Sequence, residues 1–187
     1  SLRIYAEALR LGILSVEKSL ERPSPKNKRQ KAKKTLARDK IQDKIQYGSR
    51  TAKLGGMAEE LFQKYVPDAT DANKYFKKNN PVYDFWLDGL TIDVKYSSLY
   101  KRKNGNSHHW QLRTKGNQDF IVAFLERESG SELEKPNILL IPMQFVEEQK
   151  ELHISQSGRW INDFQVEPEE LQPLLKDYAL LRKNGLF

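Results

Sequence analysis

Asp84, Asp93 and Lys95 fall within one short stretch, Val-Tyr-Asp-Phe-Trp-Leu-Asp-Gly-Leu-Thr-Ile-Asp-Val-Lys-Tyr-Ser, residues 82–97. Carboxylates paired with an ammonium are the groups with which a protein holds a hard cation and steers water toward a phosphate. Whether these three can act together depends on the chain between them. Asp88-Gly89 separates two strand-like runs, 82–87 and 90–97, and Asp-Gly is a preferred two-residue hairpin turn. With Asp88 and Gly89 as the loop, Leu87 faces Leu90, Phe85 faces Ile92 and Asp84 faces Asp93. Directly opposed residues point to the same side of a sheet. One side then carries Tyr83, Phe85, Leu87, Leu90, Ile92, Val94 and Tyr96, a core face. The other carries Asp84, Trp86, Thr91, Asp93, Lys95 and Ser97. A slip of one residue would bury the charges and expose the apolar set, so the register is strongly specified.

Two carboxylates opposed in this way have Cβ atoms about 5 Å apart, and like charges at that separation repel. Either one carboxyl holds a proton or a divalent cation sits between them. Lys95, two residues beyond Asp93 on the same side, adds a positive charge beside the pair. The plain structural alternative is a solvated sheet face with an Asp–Lys ion pair. Trp86 reads as a core or rim residue.

The elements around the hairpin must position it. A helix is expected from about Met57 to Tyr65 after Gly55-Gly56, burying Met57, Ala58, Leu61, Phe62 and Tyr65, with Pro67 and Asp68 ending it. Residues 110–113 and 152–155 suit short strands, and 120–125 and 137–142 suit buried ones. A short helix is expected at 143–150 and a C-terminal helix at 168–182. Asp119 is placed to orient the loop before the 120–125 strand.

Before this core, residues 1–50 read as a basic helical N-terminal arm. Apolar spacing suggests helices over 2–21 and 35–47, separated by a polar connector at 23–34 that opens on Pro23 and Pro25. A helix-turn-helix with Gly12 in its turn fits the first of these less well than a plain helix pair. The formal net charge of the chain is +7, but residues 1–50 hold 14 Lys/Arg and 5 Asp/Glu, a net of +9, which leaves −2 for residues 51–187. The run Lys26, Lys28, Arg29, Lys31, Lys33 and Lys34 suits phosphate neutralisation with counterion release, or else a solvated linker. The absence of cysteine excludes disulfides and thiolate metal sites, and fits a reducing, cytoplasmic setting. No apolar run approaches the ~20 residues that span a bilayer, and no signal peptide is apparent. Three histidines, His108, His109 and His153, are a thin basis for a zinc site.

Asp84, eight residues, then Asp93-Val94-Lys95 resembles the PD-(D/E)XK motif of the restriction-endonuclease-like superfamily, with Tyr83 where the motif has proline and Asp93 where Glu is commoner. Gly56-Met57-Ala58-Glu59 resembles the helical opening that carries an acidic residue in its resolvase-like members, with Glu60 as the neighbouring choice. Trp110-Gln111-Leu112 followed by Asp119-Phe120-Ile121-Val122 looks like the segment after the motif in several phage and homing-type nucleases. The resemblance covers roughly residues 51–155. It implies an α/β fold, a restriction-endonuclease-like core with a central mixed β-sheet flanked by helices, over residues 51–187. It implies a Mg²⁺-dependent DNA endonuclease of restriction or junction-resolving type, with Mn²⁺ as a substitute. Asp84, Asp93 and the Val94 carbonyl would hold the metal, with Glu59 joining directly or through water, and Lys95 would orient the attacking water. DNA would be met by the basic run, by Lys101, Arg102 and Lys103, and by Ser97 and Gln111. A homodimer suits cutting two strands. The other readings are a non-catalytic DNA-binding protein on the same fold and an RNA-directed nuclease.

Overall fold

The computed structural model describes residues 49–75, 83–101, 108–146 and 149–187. Most of the expected N-terminal arm therefore lies outside the described residues.

The first helix, α1, spans Arg50–Tyr65 and starts earlier than expected. The Ser49 side chain accepts a hydrogen bond from the Ala52 amide and caps it. Gly55 and Gly56 lie inside the helix instead of preceding it. Each costs about 1 kcal/mol against alanine, a cost offset by burying Leu54, Ala58 and Phe62. Leu61 and Tyr65 pack partly against the core, whereas Met57 is exposed, so the buried stripe is centred differently from the expected one. At the far end the Gln63 amide donates to the carbonyls of Val66, Pro67 and Ala69.

A short strand, β1 (Thr70–Asp71), and a single helical turn, α2 (Ala72–Tyr75), follow. The hairpin comes next as β2 (Phe85–Leu87) and β3 (Leu90–Ser97), in the expected register. Asp88 and Gly89 both have positive φ, 45° and 93°, as the tight hairpin turn requires. The chain continues through β4 (Tyr100–Lys101), β5 (His108–Arg113), β6 (Phe120–Leu125), β7 (Asn137–Pro142), a 3₁₀ turn at Met143–Phe145, β8 (Glu151–Ser155), α3 (Arg159–Phe164), β9 (Gln165–Val166) and α4 (Pro168–Lys183). The helix expected at 143–150 is only that 3₁₀ turn.

The central sheet has the order β1-β2-β3-β6-β7-β9. It is mixed, because β3 and β6 run parallel while their neighbours are antiparallel. Helices α1 and α4 cover one face: Phe62 meets Phe85 at 4.6 Å and Tyr178 meets Phe120 at 4.9 Å between ring centroids. Parallel neighbours need a crossover, usually helical. Here the crossover from β3 to β6 carries β4 and β5 instead. These join β8 in a second, antiparallel sheet that no local pattern in the sequence announces. The second sheet packs on the other face, buries Trp110, Leu112, Leu152 and Ile154, and reaches β3 where the Gln111 amide donates to Ser97 Oγ at 3.1 Å. Strand β6 is enclosed on both faces and is buried along its whole length. Among the described residues, no helix is long and apolar enough to cross a membrane.

Candidate active site

Strand β3 positions the site. Ile92 accepts a hydrogen bond from the Asp84 amide, and the Val94 amide donates toward the same side. A strand residue directs its N–H and C=O to one edge, and the next residue directs them to the other. Ile92 and Val94 therefore serve the β2 edge, while Asp93 and Lys95 serve β6. The β2–β3 ladder ends at Phe85, one residue short of the acidic pair. There the Asp84 carboxylate takes the place of a strand backbone: its Oδ2 accepts from the Val94 amide at 2.9 Å. The Val94 carbonyl points to the edge that this carboxylate occupies.

Asp93 stands beside Asp84, on the face shared with Lys95. The two acids are 4% and 6% exposed, which excludes the solvated-surface reading. Lys95 Nζ lies 2.5 Å from Asp93 Oδ2, yet that oxygen has no aligned hydrogen-bond donor. Burial pushes the Asp93 carboxyl up to about 7; Lys95 works against this, while Asp84 adds to it by charge repulsion and by a hydrogen bond that favours the protonated form. The Lys95 side chain is 31% exposed, so the site opens to solvent on the lysine side.

This donor set suits Mg²⁺. The ion is commonly held by one or two carboxylates while keeping several waters. A buried carboxylate oxygen without an aligned donor, next to a second carboxylate and a strand carbonyl, is the chemistry a hard cation relieves.

The other expected residues are placed differently. Helix α1 runs antiparallel to β3, with Leu54 lining a small cavity beside Tyr96 and Phe62 against Phe85. Eight helical residues rise about 12 Å and four strand residues about 13 Å, so Ala58 and Glu59 lie level with Val94. Glu59 is half-buried and Glu60 is exposed. Among the described residues, however, no three His, Asp or Glu side chains stand together as a metal cluster. Glu59 is therefore level with the pair but not grouped with it. Ser97 is buried, and its hydroxyl is engaged by the Gln111 amide and the Ser98 carbonyl. The Gln111 side chain is turned outward, where it donates to Glu151 at 2.8 Å. Lys101 belongs to β4, paired with His108. Arg102, Lys103 and the run Lys26, Lys28, Arg29, Lys31, Lys33 and Lys34 lie outside the described residues.

Asp119 does orient its loop. It accepts from the Thr91 amide and hydroxyl, both at 2.8 Å, and pairs with Arg182. Two residues carry more than their sequence context suggests. Glu126 ends β6 as a buried acid, and its position after an apolar strand was the only signal. Trp86, read as core or rim, is 41% exposed on the face of the acidic pair.

No family model matches the chain, and no curated protein does. Among solved structures, a bacterial homing endonuclease, I-Ssp6803I, is similar at 17% identity and a TM-score of 0.46, covering 73% of this chain and 98% of that one.

Proposed function

We propose that this protein is a Mg²⁺-dependent DNA endonuclease with Asp84, Asp93 and Lys95 at its centre. The observation that carries the reading is the pair of buried carboxylates at the end of the β2–β3 ladder, with an ammonium 2.5 Å from one of them. A structural ion pair gains little from being buried this way. Paired carboxylates beside an ammonium suit a cation site that hydrolyses phosphodiesters.

Asp84 and Asp93, with the Val94 carbonyl, would hold the cation, and Glu59 would join through water. When bound, Mg²⁺ supplies Lewis-acid polarisation of the scissile phosphate; Mn²⁺ substitutes. Asp84 accepts from the Val94 amide, which fixes the direction of its carboxylate. Lys95 reaches from the solvent side, orients the attacking water and places positive charge where the phosphate gains negative charge. Hydrolysis forms one P–O bond to that water and breaks one to the leaving nucleotide. The basic N-terminal run, Lys101, Arg102 and Lys103 would hold the phosphates on either side, and Gln111 would meet DNA from the exposed face of β5. Two-fold pairing of chains would serve the second strand.

The test is digestion of plasmid and four-way-junction DNA, and of RNA, in Mg²⁺, in EDTA, and with Lys95→Ala in Mg²⁺. The expected result is DNA cleavage that requires both the metal and Lys95. Tight DNA binding without a cut in Mg²⁺ or Mn²⁺ would instead mark a binding protein, and cleavage confined to RNA would reassign the substrate.

A further inference from the structure

Trp86 is the side chain of β2 left in solvent. It pairs directly with Thr91 in the β2–β3 ladder and with Thr70 across β1. By alternation it shares the face of Asp84 and Asp93. Asp93 is its diagonal cross-strand neighbour, at about 7 Å between Cα atoms. Phe85 and Leu87, on either side of it in the strand, are fully buried, whereas Trp86 is 41% exposed. Leaving an indole in water forfeits apolar burial that folding would otherwise capture.

The surroundings indicate what covers it. The strand neighbours on its own face are Thr70, Thr91 and Asp84, all polar, with Lys95 further along β3. A second protein chain would want a broader apolar patch. A single flat π-surface ringed by hydrogen-bonding groups matches a nucleobase, which has an apolar face and polar edges. Asp93, 6% exposed on the same face, is one diagonal step from the indole, so a phosphate brought to it carries its neighbouring base toward Trp86.

We infer that Trp86 is a substrate-positioning residue that stacks on an unstacked nucleobase next to the scissile phosphate. This rests on the reading of the protein as a DNA enzyme. It adds that the preferred substrate carries a base free to stack, as at a junction, a mismatch or a frayed end.

Tryptophan emission reports on this directly. The other two tryptophans are set apart: Trp110 is 1% exposed and donates its indole N–H to the Glu126 carbonyl, and Trp160 stacks on Phe164. In EDTA, a duplex with one unpaired nucleotide and its fully paired counterpart are titrated while binding is followed separately by the polarisation of a labelled strand. The unpaired substrate should quench the emission of the wild-type chain. Trp160→Phe should keep that quench. Trp86→Phe should lose it while binding nearly as well. Trp86→Ala should bind the unpaired substrate about tenfold more weakly and the paired one with little change. Binding without a quench, an equal quench in Trp86→Phe, or equal affinities for Trp86→Ala would each overturn the inference. So would a Trp86 signal that follows protein concentration without DNA, which would mean self-association. Quenching by bound DNA with no cleavage in Mg²⁺ would remove the nuclease reading and leave the stacking site standing; no DNA binding at all would remove both.

Discussion

Asp93 and Glu126 are both buried acids at the strands of one sheet, and they have opposite fates. Glu126 is 2% exposed, and its two oxygens accept from three backbone amides: Gly130 at 2.9 Å, Glu132 at 3.1 Å and Leu99 at 2.6 Å. It ties the exit of β3 to the loop after β6. Asp119 is similar, held by Thr91 and Arg182. Asp93 is as deep, but one of its oxygens has no aligned donor, and its carboxyl is pushed up to about 7. Burial of an acid therefore does not mark a reactive place. A buried acid crowded by a second carboxylate and pushed well above its ordinary pKa does.

The contrast can be broken most sharply by removing the ammonium. Lys95→Ala should lower DNA cleavage by about a thousandfold and leave the thermal midpoint nearly unchanged; a loss of a tenth or less of the activity would return Lys95 to the role of a surface charge. Glu126→Ala should do the reverse. It strands three buried amides and should destabilise the fold by about 3 kcal/mol, read from the denaturant midpoint.

Proton linkage comes next. The folded pKa of Asp93, about 7, lies above its ordinary 3.8, so the folded state holds a proton that the unfolded chain has released. In EDTA, the stability contributed by that proton is whole below pH 4 and lost as pH rises through 7. Between pH 5 and pH 8 the loss should be about 3 kcal/mol. Asp93→Asn should flatten that slope, and Mg²⁺ should raise the melting temperature more at pH 8 than at pH 5. A wild-type chain no less stable at pH 8 than at pH 5 in EDTA would show that Asp93 is already ionised and satisfied. The smallest effect is expected at the well-paired acid. Arg182→Ala leaves Asp119 its two Thr91 donors and should cost about 1.5 kcal/mol, with Mg²⁺-dependent cleavage retained.

The hairpin was legible because its determinants are local. Asp88-Gly89 specifies the turn, and the alternation from Phe85 to Ser97 specifies the facing, so pattern alone groups Asp84, Asp93 and Lys95 on one side. The buried strands at 120–125 and 137–142 were legible for the same reason, as continuous apolar runs. Gly55-Gly56 misled because glycine's helix cost is a local preference, and the packing of Leu54, Ala58 and Phe62 overrides it. The second sheet was missed because β4 is two residues long and β8 lies far along the chain from β5. Pairing across such a distance leaves little trace in local pattern.

The sequence by itself determined which side chains share a face, since that follows from a two-residue period and a two-residue turn. Only the tertiary structure decided how deep they lie. The end of the β2–β3 ladder at Phe85 let the Asp84 carboxylate stand in for a strand. Burial of Asp93 raised its pKa. The absence of any cover over Trp86 among the described residues left the indole in solvent. Depth is set by what packs from elsewhere in the chain, and it is depth that turns an Asp–Asp–Lys pattern into a candidate site.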